Sequence, residues 1–181
     1  MPAMNLKRLL LAVAFACATL NTSFAEDKRA ELDADVKEAI ALMQKADSSL
    51  TKFFTSSSGY AIFPNVAKGG LGIGAAHGKG QLFEKGTVLG ETKLTQVTIG
   101  FQAGGQVYAE VIFFENETTL KNFKEGKFEF SAQVSAVAAA EGVAKNAKYE
   151  HGVAVFTLAK GGLMYEASVG GQKFKYEPYS K

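Results

Sequence analysis

The chain has 181 residues, of which 47% are hydrophobic, so it is long enough to form one domain with a hydrophobic core. Its formal charge of +2 comes from Lys7 and Arg8, and the rest of the chain carries 18 basic and 18 acidic residues. This balance argues against general nucleic-acid binding, which requires a basic surface.

The first 25 residues have the pattern of a bacterial secretory signal peptide. A basic start is followed by the apolar run of residues 9–16, which is too short to span a bilayer. Ser23-Phe24-Ala25 then places small residues at a cleavage site. The sequence therefore predicts a mature chain of about 156 residues that begins near Glu26, in the periplasm or secreted. A lipoprotein anchored through Cys17 is the alternative.

Residues 26–54 contain no glycine or proline, and their apolar residues recur at steps of three and four. They are therefore predicted to form one amphipathic helix. Their first turns are acidic, which suits the positive end of a helix dipole. A helix that lies on a membrane usually has a basic polar face, so the pattern favours a helix docked on the domain. The apolar positions are Leu32, Val36, Ala39 or Ile40, Met43, Leu50 and Phe53.

From Gly59 onward the chain contains all 19 glycines and a series of strand patterns. Strand alternation in 97–103 is followed by Gly104-Gly105, which predicts a hairpin returning through 106–114. A short helix is predicted at 116–126, with Asn116 as N-cap and Gly126 beyond its end. Further strands are predicted at 128–138, 152–156, 163–169 and 172–176.

These elements predict a mostly β, α+β domain over residues 55–181. We expect an antiparallel curved sheet or barrel-like domain that is preceded by the N-terminal helix and contains one short inserted helix.

Residues 67–80, AKGGLGIGAAHGKG, contain glycine spacings of nucleotide-binding loops, but their surroundings do not fit. No helical pattern follows the glycines, and Gly80 stands where a phosphate loop needs Ser or Thr. Every even position from 70 to 80 is Gly or Ala, so a strand here has one face of nearly bare backbone. Another element or an apolar ligand chain is expected against that face.

Two segments of the chain are similar to each other. GYAIFPNVAKGGL (59–71) and GVAVFTLAKGGL (152–163) differ in length by one residue. They are predicted to be neighbouring or pseudo-symmetric parts of one sheet, unless both are simply good hairpins.

Three motifs resemble those of the SYLF domain family. They are GYAIFPNVAKGG (59–70), GFQAGGQ (100–106) followed by Glu110, and KGGLMYEASV (160–169). The resemblance implies a β-rich, barrel-like lipid-binding domain. Eukaryotic members bind phosphoinositides and in some cases actin, whereas bacterial members are secreted. For this chain the resemblance implies a phospholipid, lysophospholipid or fatty acid as ligand and peripheral contact with a membrane. Actin is not expected as a partner, because a bacterial envelope contains none.

The predicted lipid site combines a glycine-rich apolar surface with lysines for an anionic headgroup. Lys68 and Lys160 are predicted to be an equivalent pair, because each occurs in an Ala-Lys-Gly-Gly-Leu segment. The predicted lipid-binding residues are Lys68, Lys160, Lys79, Lys173, Gly72 and Gly74.

No catalytic residue, metal site or cofactor is predicted. The two histidines, His77 and His151, have no cysteine or close carboxylate spacing beside them, and no Gly-x-Ser-x-Gly elbow is present. Glu110 lies among apolar strand residues, so we expect an ion pair with a lysine, with raised-pKa catalysis as the weaker alternative. The other functions considered are a small outer-membrane β-barrel or structural envelope protein, and an uncharacterised hydrolase.

Overall fold

The computed structural model describes residues 6–128, 135–138, 141–159, 167–168 and 171–180. The chain consists of two compact units, Met1–Ala34 and Asp35–Lys181. Within the described residues, no helix has both the length and the apolar character that a bilayer crossing requires.

The helical segment at the start of the chain, residues 6–56, is interrupted near its end, whereas the sequence predicted a single helix over 26–54. Helix α1 spans Leu6–Ala46, a 3-10 helix follows at Ser48–Leu50, and α2 spans Thr51–Ser56. The interruption falls at Asp47, which is extended (φ −148°) and accepts a hydrogen bond from the backbone N–H of Ser49. An Asp that caps a new helix in this way ends the preceding one. The predicted apolar face is nevertheless buried, at Val36, Ala39, Met43, Leu50 and Phe53.

Two long strands form most of the sheet. Strand β1 (Gly59–Glu84) pairs antiparallel with β2 (Thr87–Phe114), and the turn between them is Lys85-Gly86. Both turn residues have positive φ, 49° and 79°, as a tight hairpin needs. The hairpin predicted at Gly104-Gly105 is wrong, because these glycines pair with Gly70 and Gly69 inside the ladder. Glycine also permits sharp strand curvature, so Gly-Gly alone does not identify a turn.

The remaining elements are short. Helix α3 (Glu117–Lys124) confirms the predicted helix, because the Asn116 side chain accepts from the Thr119 N–H and Gly126 follows with φ 66°. The other elements are β3 (Ser135–Ala138), α4 (Val143–Asn146), β4 (Val153–Ala159), β5 (Ala167–Ser168) and β6 (Gln172–Pro178). Of the strands predicted at 128–138 and 163–169, the structure describes β3, β5 and Phe128, which is not in a strand, and the rest fall outside the described ranges.

The sheet has the strand order β1-β2-β4-β3-β5, with β6 also paired to β2. All the pairings are antiparallel except that of β3 with β4. The predicted α+β, mostly β fold with a curved sheet is confirmed, and the sheet formed by the described strands is open. The two similar segments lie on either side of β2, since Ala61 of β1 and Val155 of β4 both pair with Ile112.

The curved sheet has two arms that enclose the main core. In the first arm, residues 108–114 of β2 lie between β1 and β4; in the second arm, residues 90–96 lie between β1 and β6. The inner faces of both arms and one side of α3 meet in a single apolar cluster. Phe174 of the second arm lies 5.1 Å from Phe123 of α3 and 5.9 Å from Phe63 of the first arm, ring centre to ring centre.

The outer face of the first arm is covered by the helical segment. The ring of Phe53 in α2 lies 5.3 Å from Phe113 and 5.2 Å from Phe156. Asp47 ties this segment to α4, because its carboxylate accepts a hydrogen bond of 2.7 Å from the backbone N–H of Ala144. The first arm is therefore buried on both faces.

Candidate functional site

The alternation predicted for residues 70–80 is present in β1. Gly74, Ala76, Gly78 and Gly80 are buried, whereas the odd positions 75, 77 and 79 are exposed. At Gly72 the backbone pairs with Gly100, but the surroundings of this residue lie outside the described burial. The small residues therefore face the interior of the curved sheet.

Part of this glycine face is occupied by β1 itself. A β-carbon on Gly80 would overlap the backbone carbonyl oxygen of Ile62. A β-carbon on Gly78 would lie 3.0 Å from Cγ2 of Val66 and 3.2 Å from the backbone oxygen of Asn65. The glycines let the two arms approach each other closely here, so no ligand chain is accommodated at Gly78 or Gly80. The roles predicted for Gly72 and Gly74 stay predictions.

Lys68, Lys79 and Lys173, the predicted lysines within the described residues, do not form one group. Lys68 lies opposite Gln106 and is only 8% exposed, while Lys160 falls outside the described residues. Lys79 and Lys173 are exposed on the outer face of the second arm. The predicted pairing of Lys68 with Lys160 at a headgroup stays a prediction.

The outer face of the second arm carries a row of lysines that runs across three strands. Lys79 of β1 lies directly opposite Lys93 of β2, which lies directly opposite Lys175 of β6. We call these three residues the lysine row; their side chains are 62%, 38% and 71% exposed. The neighbouring row of the sheet contains Lys173. Further along β2, on the same face, the side chain of Val97 is 70% exposed. Sequence reasoning missed Lys93 and Lys175, because only the strand register aligns them with Lys79.

Two glutamates partly neutralise the lysine row. Glu91 and Glu177 are directly opposite each other in the next row of the sheet. Lys175 and Lys93 approach Glu177 at 2.7 and 3.0 Å, and these hydrogen bonds lower the pKa of Glu177 to about 2. The hydrogen bond with Glu177 in turn raises the pKa of Lys93. With Lys173 included, four lysines face two glutamates, so this face keeps an excess of positive charge.

Glu110 is buried inside the curved sheet with 0% exposure. Its Oε2 accepts a hydrogen bond of 3.1 Å from Nε2 of Gln172. Burial raises the pKa of Glu110 to about 7, against the lowering effect of this hydrogen bond. The predicted ion pair with a lysine is wrong, because within the described residues the partner is a neutral amide.

The described residues contain no cluster of three or more His, Cys, Asp or Glu side chains placed to hold a metal ion. What they do contain is a helix-covered curved sheet with a positively charged outer face on its second arm. The structure thus defines a small α+β domain with a positively charged outer face.

Comparisons with known proteins support the predicted resemblance. Residues 95–178 match the family model described as Ysc84, Las17-binding protein actin regulator. The predicted resemblance to the SYLF family is thereby confirmed over residues 95–178. The matched range includes β6 and most of β2, and therefore both Lys175 and Gln172.

One curated relative is similar over most of the chain. Beta cell expansion factor A from Aeromonas veronii is 27% identical over 157 residues, which is 86% of this chain and 59% of the relative. The chain thus spans about three fifths of the length of that relative. Neither this description nor that of the family is the description of an enzyme.

Proposed function

We propose that this protein is a non-enzymatic lipid-binding protein of the bacterial cell envelope. The lysine row on the outer face of the second arm would contact the anionic headgroups of a phospholipid membrane. The expected signal peptide supports a periplasmic or secreted location, where phospholipid surfaces are present. Actin regulation, which the family description names, is not part of the proposal, because export removes the chain from any actin.

The observation that carries the proposal is the direct alignment of three lysines across β1, β2 and β6. Like charges directly opposite each other destabilise a sheet. Glu91 and Glu177 offset this repulsion only in part, since Lys173 adds a further positive charge to the same face. An anionic partner would supply the missing counter-charges.

The same face has properties of a peripheral membrane surface. Basic residues near an anionic leaflet contribute about 1 kcal/mol each to binding. Val97 is exposed on this face, where its apolar side chain can enter the headgroup boundary beside the lysines. Lysines on β6 would also discourage edge-to-edge pairing of sheets, which is a purely structural use of the same charges.

Vesicle sedimentation tests the proposal. The exported protein is mixed with vesicles of phosphatidylcholine alone or of phosphatidylcholine with phosphatidylglycerol, at low and high salt. We expect binding to the anionic vesicles that weakens as salt screens the charges. Equal sedimentation with both vesicle types, or none with either, would contradict the proposal.

A further inference from the structure

A hydrogen bond between two buried side chains joins the two arms across the interior of the curved sheet. Glu110 belongs to the first arm, where it lies between Phe63 of β1 and Thr157 of β4. Gln172 belongs to the second arm, where it pairs with Gln96 of β2. The hydrogen bond from Nε2 of Gln172 to Oε2 of Glu110 therefore links β6 of the second arm to β2 of the first arm across the core.

The second oxygen of each side chain lacks a partner. Oε1 of Glu110 and Oε1 of Gln172 are both buried and accept no hydrogen bond within the described part of the chain. Leaving a buried acceptor unsatisfied is costly, and more so when the acceptor carries charge. Both oxygens belong to side chains already joined by one hydrogen bond, so one added proton can satisfy the pair.

We propose that Glu110 is held as a neutral carboxylic acid that forms an acid–amide ring with Gln172. Nε2–H of Gln172 donates to Oε2 of Glu110, and the acid proton on Oε1 of Glu110 donates to Oε1 of Gln172. This ring, which we call the clasp, joins the two arms through two hydrogen bonds only while the proton is present. When the proton leaves to solvent, one of the two hydrogen bonds is lost and a buried negative charge is created.

None of the charged groups described near Glu110 offers it a counter-charge. On β2, Tyr108 shares its face, and burial together with the charge of Glu110 raises the pKa of Tyr108. Lys68 of β1 lies further along the ladder, opposite Gln106 rather than Glu110. β4 contains no ionisable residue. Lys173 and Lys175 of β6 are exposed on the outer face of the sheet.

Helix α3, the remaining element against this core, directs its apolar side inward. Its buried residues are Leu120 and Phe123, while Lys121 and Lys124 pair with Glu125 and Glu84. Within the described residues, the protonation of Glu110 therefore depends on its burial and on Gln172. Because the pKa of Glu110 is raised, the folded chain binds this proton more tightly than the unfolded chain does, and stability falls as the pH rises.

The first test is a direct titration of the side-chain carboxyl of Glu110 in the full-length mature protein, by carbon NMR. The clasp predicts half-ionisation near pH 7 in the wild type. In the Gln172→Met variant the midpoint should move downward, because the neutral acid loses two hydrogen bonds and the carboxylate only one; an upward move would contradict the ring. Ionisation of Glu110 near the usual value of about 4.3 in the wild type would overturn the proposal.

The second test compares the thermal midpoint of the wild type with that of Glu110→Gln between pH 5 and 8. The glutamine amide supplies the missing donor without titrating, so this variant mimics the protonated clasp. We expect the wild type to lose stability relative to the variant as the pH rises from 5 through 7. Parallel pH profiles would also overturn the proposal; if the variant does not fold, the titration of the wild type still decides.

Discussion

The backbone carbonyl oxygen of Ile62 occupies the place that a side chain on Gly80 would need. Both residues belong to β1, so this strand curves until its two ends face each other. The contact explains why Gly78 and Gly80 have no side chain: a larger residue at either position would hold the two arms apart. It also brings Glu110 and Gln172 within hydrogen-bonding distance across the interior.

We expect Gly80→Ala to destabilise the protein by about 1–3 kcal/mol, because the new methyl group overpacks a backbone contact that cannot move aside. Gly105→Ala is the matched control on β2, the strand paired with β1. Within the described residues, its β-carbon would contact the Lys68 carbonyl oxygen alone, at 3.9 Å. Removing a glycine from an unstrained position is neutral or slightly stabilising. Chemical denaturation should separate the two variants; equal unfolding free energies would show that the arms do not press together at Gly80.

Asp47→Ala should lower the free energy of unfolding by about 1–3 kcal/mol, because it leaves buried donors unsatisfied. The Asp47 carboxylate accepts from the backbone N–H and hydroxyl of Ser49, at 2.9 and 2.6 Å, and from the backbone N–H of Ala144. Ser49→Ala removes only the hydroxyl and should cost less. Denaturant titration of both variants measures the difference, and equal losses would mean that the link to α4 contributes nothing.

The stabilisation by Asp47 should depend on pH. Burial alone would raise the pKa of Asp47, but the hydrogen bonds from Ser49 and Ala144 lower it below the ordinary value. A lowered carboxyl pKa gives stability that is present above the unfolded value and lost as the pH falls through the folded value. The stability gap between wild type and Asp47→Ala should therefore narrow in acid. A gap that stays constant from neutral pH down to pH 2 would contradict this.

Export is predicted to remove the first 25 residues. N-terminal sequencing of the protein recovered from a periplasmic or culture fraction should begin at Glu26. A lipid-modified Cys17 at the new N-terminus would instead support the lipoprotein alternative and anchor the chain permanently.

Local patterns predicted much of the fold. Asn116 and Gly126 mark the ends of α3 because capping depends on neighbouring residues, and the alternation of residues 70–80 identified both strand and buried face. The hairpin predicted at Gly104-Gly105 was wrong because two glycines fit a hairpin and a curved strand equally well. The choice depended on β1, whose position no local pattern gives.

The candidate site was harder to predict because its residues are distant in sequence. Lys79, Lys93 and Lys175 become neighbours only through the registers of two separate strand pairs. Glu110 was singled out as an unusual buried carboxylate, but its partner Gln172 is 62 positions away and has no distinctive motif. The sequence alone therefore indicated the resemblance to the SYLF family and one lysine of the lysine row, Lys79. The arrangement of the three lysines could be seen only in the tertiary structure.

The most direct measurement of the central claim compares two triple variants for binding to anionic vesicles. The first replaces Lys79, Lys173 and Lys175 with Gln and keeps Lys93, which bridges Glu91 and Glu177. The control removes the same charge elsewhere, from the exposed Lys121, Lys127 and Lys148.

Both variants are first checked for an unchanged thermal midpoint. If the outer face of the second arm binds lipid headgroups, the first variant should lose affinity for phosphatidylglycerol vesicles and much of its salt dependence, while the control stays close to wild type. Equal affinity in all three proteins, or an equal loss in both variants, would contradict the claim that this face binds the membrane.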